Sequence, residues 1–330
     1  MTPRGTRVIP RSEVRKLLTL QQCIAAVEEA FRQHGNGVAS RPGILGMHGK
    51  GGGFHIKAAF APDAALFAAK MNANFPQNQH DFNLPTIQGV IVVSDSRNGY
   101  PLAVMDSMEI TILRTAAATA VAARRLARPE SATATICGCG TQARAQLQAI
   151  ASVCPIRKAF AYDVDSVRAR AFAGQAASEL GIEVEAEEQL ARATLQSDVV
   201  VACTPAKKSY LSANDVRAGT FVAAVGADAE DKQELEPALL AKSKVVADIA
   251  EQAATIGDSH HAIAAGAMHR QDIYAELGEV VAGIKPGRIS GSEITVFDST
   301  GAALQDVAAA AVVLRQAEKM GIGLVVDLFA

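Results

Sequence analysis

No stretch of this chain approaches the roughly 20 consecutive apolar residues that a membrane-spanning helix requires, and the N-terminal "MTPRGTRVIPRSEVRKLL" lacks the apolar core of a secretory signal. Those absences predict a cytoplasmic protein with no membrane partner. Charge of one sign is also missing. With 32 Lys and Arg against 34 Asp and Glu, and no basic block to neutralise a phosphate backbone, nucleic acid is a poor partner. Cysteine is scarce and odd in number. Five cysteines, at positions 23, 137, 139, 154 and 203, fit reduced thiols better than a disulfide framework in a chain of 330 residues. Internal repeats and low-complexity linkers are absent.

What is there is apolar and patterned. Hydrophobic residues make up 49% of the chain, enough for a sizeable core, and the length predicts two domains. Thr19 is placed to cap a helix through "LQQCIAAVEEAFRQHGNG", whose apolar residues recur at helical spacing before a Gly-Asn-Gly stop. From Phe54 to Met105, short β-like segments separated by turn residues, with the hairpin signal Asn98-Gly99, predict an antiparallel sheet. The glycine run "GKGGGFH" reads as a hairpin, since no helix follows it. "MEITILRTAAATAVAARRLA" reads as a long helix ending near Arg128-Pro129. From Thr133 to roughly Asp298, near-continuous apolar strands ("TATIC", "KAFAYD", "DVVVACT", "TFVAAVGAD", "KVVAD") alternate with helical or loop segments. Strands buried on both faces read this way, so the fold class is α/β, with a Rossmann-type doubly wound parallel sheet. The last helix, "GAALQDVAAAAVVLRQAEKMGIG", is expected to fold back onto the first domain and make it discontinuous. The expected boundaries are 1–113 with 303–330 for an α+β substrate-binding and dimerisation domain, and 114–302 for the Rossmann domain.

Gly138-x-Gly140-x-x-Ala143 follows a strand and opens a helix, as a dinucleotide fingerprint requires. The first glycine permits the tight turn and the second lets backbone approach a pyrophosphate. A small residue at Ala143 allows helix and strand to pack closely, and Gln142 lies in the same turn. Asp163 ends the next strand, where a carboxylate accepts from both ribose hydroxyls and repels a 2′-phosphate. NAD is therefore the expected cofactor, with NADP the alternative. Cys137 and Cys139 have no ligand set of metal-binding spacing around them and read as small fillers. His260 and His261 are adjacent, and adjacent helical residues point in different directions, so shared metal ligation is not expected.

Arg41 in "ASRPG", Lys70 in "AAKMNANFP" and Arg114 in "ILRTAAA" stand in apolar or small-residue surroundings, where a cation is costly to bury without an anionic partner. Converging, they would imply an acidic substrate. Structural ion pairs or surface groups are the competing reading.

"LRTAAATAVAARRLA", "GCGTQARAQLQA", "YDVD", "AVGADAEDKQEL" and "FDSTGAALQD" resemble, in order and spacing, the ornithine cyclodeaminase/μ-crystallin family of NAD(P)-dependent enzymes, across nearly the whole chain. The resemblance implies a homodimer acting on a small anionic imino or amino acid. It implies carboxylate recognition by Arg41, Lys70 and Arg114 with Thr86 alongside, catalytic roles for Asp228 and Lys70, and cofactor contacts from Thr115, Thr204, Val225, Lys232 and Ser299. For Thr204, Val225, Lys232 and Ser299, ordinary backbone or packing duty remains open, as do Glu230 and Asp231 in place of Asp228. Pro85 and Gln88 depart from the cyclodeaminase-like pattern and resemble the bacterial imine reductase and alanine dehydrogenase branch. The expected reaction is NAD(P)H-dependent reduction of a small cyclic 2-imino acid; the alternatives are ornithine cyclodeamination, alanine dehydrogenation, and a non-enzymatic binder of the dinucleotide and a small ligand.

Overall fold

The computed structural model describes residues 5–39 and 41–328. The chain divides into two compact units, Met1–Arg114 with Ala302–Ala330, and Thr115–Gly301. The strands of the first unit are β1 Thr6–Ile9, β2 Gly43–Gly49, β3 Gly52–Ala61, β4 Leu66–Asn74, β5 Ile87–Asp95 and β6 Pro101–Asp106. The second contains β7 Thr133–Cys137, β8 Lys158–Tyr162, β9 Glu183–Ala186, β10 Val199–Ala202, β11 Phe221–Ala224, β12 Lys244–Ala247, β13 Ala275–Glu276 and β14 Thr295–Asp298. β15, Leu324–Val326, returns to the first unit.

In the first unit the order is β15-β1-β6-β5-β4-β3-β2, with β2 to β6 antiparallel as expected and β1 parallel to β6. "GKGGGFH" forms the β2–β3 turn and Asn98-Gly99 lies in the β5–β6 turn, Gly99 at φ +78°. Alternation gives the sheet two unlike faces. Lys57, Ala59, Ala68, Lys70, Ile91 and Met105 point into the core, and the helix Ala303–Met320 packs over β3 and β4 there. Its run of alanines lets the two backbones approach, and the helix stops at Gly321, φ +67°. The Leu20–Gly35 helix packs beside it, with the Thr19 Oγ1 accepting from Gln22 N–H in a complete capping box. On the opposite face, Leu45, Met47, Phe54, Phe60, Met71 and Val90 are exposed, and the register places Met47 against Phe54 and Met71 against Val90.

The second unit is an eight-stranded, wholly parallel sheet in the order β13-β12-β14-β11-β10-β7-β8-β9. From β7 the chain winds out through β8 and β9, then returns to β10 on the other side of β7. That reversal opens a crevice at the carboxyl ends of β7 and β10, where open α/β sheets bind ligands. β10, β11 and β14 are buried throughout, hence their near-continuous apolar sequence.

At the opposite end of the sheet, the Asp198 carboxylate pins β7 to β10. It accepts from the N–H groups of Ala132 at 2.8 Å and Thr133 at 3.1 Å, and pairs with Arg217 at 2.5 Å and with Arg128. Burial works against the charge, but these donors win and hold its pKa below the ordinary carboxylate range. Its contribution is present at neutral pH and is lost as pH falls through the depressed pKa. Asp198→Asn is expected to cost about 2 kcal/mol at pH 7, with the gap from wild type closing in acid. Urea unfolding of both proteins from pH 7 to pH 3 checks this; a pH-independent gap would contradict it.

Candidate active site

The glycine turn after β7 is built as a backbone cradle. Gly138 sits at φ +92°, and a Cβ there would come within 2.7 Å of the Thr204 side chain and 3.1 Å of the Cys203 carbonyl, so only glycine lets β7 and the β10 loop close this tightly. At Gly140 a Cβ would meet nothing within 4 Å, and that position faces open space. The helix Ala143–Ala151 follows, with Gln142 at its N-cap and no side chain capping it, so its first amides are left to an anion. Asp163 accepts from Cys139 N–H at 2.8 Å and from Asp165 N–H at 2.9 Å, which fixes the carboxylate beside the turn. Burial pushes the Cys139 thiol up to about 12 and Cys137 and Cys203 well above their ordinary value. Protonated thiols of this kind are neither metal ligands nor nucleophiles. Among the described residues no group of three or more His, Cys, Asp or Glu is placed to hold a metal ion. The His260 and His261 rings meet each other edge-on at 5.1 Å, and His261 contacts the Lys232 carbonyl.

Beside the crevice, a buried carboxylate that sequence reasoning missed organises the loops after β10 and β11. Glu234 accepts from Thr204 N–H and Oγ1–H, both at 2.7 Å, from Tyr210 O–H at 2.9 Å and from Gly226 N–H at 2.8 Å. Thr204 thus spends its hydroxyl on structure. Burial outweighs these donors and raises the Glu234 pKa. Asp258 accepts from the Glu234 and Leu235 amides, and Asp298, at the end of β14, accepts from Asp258 and Ser259 N–H. Burial pushes Asp298 up to about 6. Val225 is half-buried just beyond β11. The next residue after Asp298 is Ser299, 2% exposed, whose Oγ has no protein partner: an orphaned polar atom of the kind a ligand satisfies. The positive-φ turn, the uncapped helix, the fixed Asp163 and this hydroxyl together fit a dinucleotide.

Asp228 follows β11 and receives a hydrogen bond from Lys232 Nζ at 2.6 Å, four residues on. Its side chain is half-exposed. Glu230 and Asp231 are exposed, and Asp231 is engaged by Lys207 at 2.6 Å.

In the first unit, the basic residues of the sequence reading separate. Lys70 and Arg114 are 3% and 5% exposed and meet on one carboxylate, that of Asp306 in the Ala303–Met320 helix. Lys70 Nζ lies 2.8 Å from both of its oxygens, Arg114 Nε donates at 2.9 Å, and Arg114 Nη1 donates to Gln305 Oε1 at 2.9 Å. Arg41 is exposed and does not share their burial; the third buried cation is Lys57, directly opposite Lys70 in the β3–β4 register. Thr86 is exposed, its carbonyl accepting from Phe75 N–H, and Thr115 is buried in the Met108–Leu126 helix. Burial pushes Lys70 down to about 7 despite Asp306, with Arg114 and Lys57 adding to the depression. Asp306 is held below the ordinary carboxylate range; burial opposes this, and Lys70 and Arg114 prevail.

A doubly wound sheet with a glycine turn at its switch point, joined in one chain to a unit carrying buried cations, defines a nicotinamide-dinucleotide oxidoreductase of the Rossmann class. The chain belongs to the ornithine cyclodeaminase/mu-crystallin family, whose model matches residues 5–321. It is 38% identical over 324 residues to an alanine dehydrogenase of Archaeoglobus fulgidus, covering 98% of this chain and 99% of that protein. Two solved structures superpose closely. The Δ1-pyrroline-2-carboxylate reductase of Thermococcus litoralis, in complex with NADH and L-proline, gives a TM-score of 0.93 at 34% identity, covering 97% of this chain and 100% of the other. The iminosuccinate reductase of Paracoccus denitrificans, in complex with NAD+, gives 0.91 at 32%, covering 98% and 100%.

Removing Asp306 strands two cations in the core. Asp306→Asn is expected to destabilise the protein by about 3–5 kcal/mol at pH 7. Because Lys70 loses the anion that favours its charged form and Arg114 cannot shed its proton, the gap from wild type should widen as pH falls below 7 and level off above it. Urea unfolding at pH 5.5, 7 and 8 measures both; a loss below about 1 kcal/mol at pH 7 would contradict the burial argument.

Proposed function

We propose that the protein is an NAD(P)H-dependent reductase of a small cyclic 2-imino acid, Δ1-pyrroline-2-carboxylate or Δ1-piperideine-2-carboxylate, giving L-proline or L-pipecolate. The observation that carries this reading is the burial of Lys70 and Arg114 on a single carboxylate. Two cations on one anion leave positive charge over, and a substrate carboxylate is the group that completes it. Arg114 presents a planar fork to that carboxylate and Lys70 a point charge. Arg41 and Thr86, both exposed, serve as outer contacts to the substrate.

The bound nicotinamide supplies a hydride at its C4 carbon. Every other step falls to the protein. Gly138, Gly140, Gln142 and Ala143 receive the pyrophosphate, Asp163 takes the ribose hydroxyls and favours NAD over NADP, and Thr115, Thr204, Val225, Lys232 and Ser299 border the nicotinamide half. Asp228 carries the proton that the imine nitrogen gains on reduction. Lys232, whose pKa stays above the ordinary lysine value despite burial because Asp228 is so close, keeps that carboxylate in place. Lys70, near pH 7 at the midpoint of its own titration, can hold or release a proton beside the substrate. Alanine dehydrogenation is the second reading, favoured by the 38% identity to such an enzyme. Both readings share one hydride site and differ in what lies beyond the α-carbon.

The exposed apolar face of β2 to β5 is proposed to pair with a second copy of the chain, because contiguous apolar patches of this kind mark association surfaces. Met71→Glu at its centre is expected to shift the protein from dimer to monomer in analytical ultracentrifugation, and an unshifted dimer would remove this face from the interface.

NADH oxidation with pyrroline-2-carboxylate, piperideine-2-carboxylate, and pyruvate plus ammonia tests the substrate, with ammonia release from ornithine as the cyclodeaminase control. The cyclic imines are expected to give the highest kcat/KM. Asp228→Asn should lower kcat by about 100-fold or more with NADH affinity retained. Unchanged turnover would remove Asp228 from the mechanism.

A further inference from the structure

The histidine pair of "GDSHHAI" and the buried carboxyl group of Asp258 are left unused by the reading above. They stand on the short helix Asp258–Ala264, where Asp258 and His261, three residues apart, share one face. That face meets the segment that carries Asp228. Between the end of β11 and Glu234 the chain forms no helix or strand, and Asp228 lies in the exposed part of it. A carboxylate on such a segment keeps one position only if the backbone beneath it is held from outside. The holding groups come from the Asp258–Ala264 helix. Asp258 Oδ1 accepts from the Glu234 and Leu235 N–H groups, both at 2.8 Å, and His261 Nε2 lies 2.9 Å from the Lys232 carbonyl oxygen. A carbonyl oxygen has no proton to give, so His261 is the donor and carries a proton on Nε2. Lys232, fixed through its main chain, reaches back with Nζ to Asp228 at 2.6 Å. The helix is itself tied to the sheet, because Asp298 at the end of β14 accepts from the Asp258 and Ser259 amides. Burial does not demand the His261 contact. His261 and Lys232 are both half-buried, and water satisfies a carbonyl in such a place. The effect of the contact is positional, since it sets where the Lys232 side chain begins.

We propose that His261 and Asp258 are positioning residues for the proton transfer: together they clamp the backbone from Lys232 to Leu235, so that Lys232 holds the Asp228 carboxylate where the imine nitrogen gains its proton. This rests on the reductase reading and adds to it two residues that act through Lys232 and Asp228. No bond or redox step is added, since the hydride still comes from NADH and the proton from Asp228. A displacement of about 1 Å in a group that must meet one reacting atom costs on the order of a hundredfold in rate, even when its cause lies away from the chemistry. The clamp acts on the loop after β11, and the glycine turn after β7 lies outside it.

His261→Ala removes the donor, and His261→Gln keeps an N–H at the end of a side chain of similar reach. With pyrroline-2-carboxylate and NADH, His261→Ala is expected to lower kcat by about tenfold to a hundredfold, with KM for the imine and the dissociation constant of NADH within about twofold of wild type. His261→Gln should restore most of kcat. The solvent deuterium isotope effect on kcat separates position from stability. It should rise in His261→Ala, where the proton step is slowed against the others, whereas a smaller folded fraction lowers kcat and leaves the isotope effect unchanged. A double-mutant cycle gives a second measurement: in a Lys232→Met background, His261→Ala should cost no more than about twofold further, because it acts through Lys232. Wild-type kcat in His261→Ala, a loss that glutamine does not restore, an unchanged isotope effect, or full additivity with Lys232→Met would overturn the clamp. If Asp228→Asn loses turnover while His261→Ala keeps it, only this inference fails. If Asp228→Asn turns over as wild type does, or no imine oxidises NADH, the reading beneath it fails and this inference with it.

Discussion

A charged side chain taken out of water must find a partner, and in the first unit that constraint falls on Asp306. Its carboxylate, in the first turn of an alanine-rich helix, holds Lys70 from the sheet and Arg114 from the Met108–Leu126 helix. The arrangement links the last helix of the unit to the central strands. It also fixes the electrostatics of the site, because Lys70 rests near neutrality while Asp306 stays ionised. A buried pair of cations on one carboxylate is costly to break, because removing Asp306 leaves charge in the core without its partner.

The second unit solves a different problem, that of giving polar backbone to a ligand without opening the core. The reversal of winding between β7 and β10 leaves a crevice, and Gly138 lets the two strand ends close to within contact of each other beneath it. Glu234 then ties the loops after β10 and β11 together with four hydrogen bonds, so the residues flanking the crevice sit on rigid backbone. Behind Glu234, Asp258 and Asp298 continue the same device, Asp258 accepting from the Glu234 and Leu235 amides and Asp298 from the Asp258 and Ser259 amides.

Much of this was legible in the chain itself. The central parallel strands are buried on both faces and therefore read as short apolar runs, and Thr19 with Gln22 announces a helix start. β1 and β15 were not read, because strands of four and three residues that pair across most of the chain length carry no periodicity of their own. In the site, Lys70 and Arg114 stood out as lone charges in apolar surroundings. Lys57 in "FHIKAAF" and Asp306 in "AALQDVAAAA" carry the same signal of a lone charge in apolar surroundings, and Arg41, whose neighbours are small but polar, lies at the surface. Glu234 had no such signal, since "EDKQELEP" is a run of charges and only the fold shows which one turns inward.

The claim at the centre of this account is that a hydride is delivered to the α-carbon of an imino acid held by these cations. NADH carrying deuterium at C4 on its transferred face, incubated with the enzyme and pyrroline-2-carboxylate in ordinary water, tests it directly through mass spectrometry and NMR of the product. The account predicts proline with one deuterium at C2 and none elsewhere. Unlabelled proline, or NADH left unoxidised beside intact imine, would contradict it.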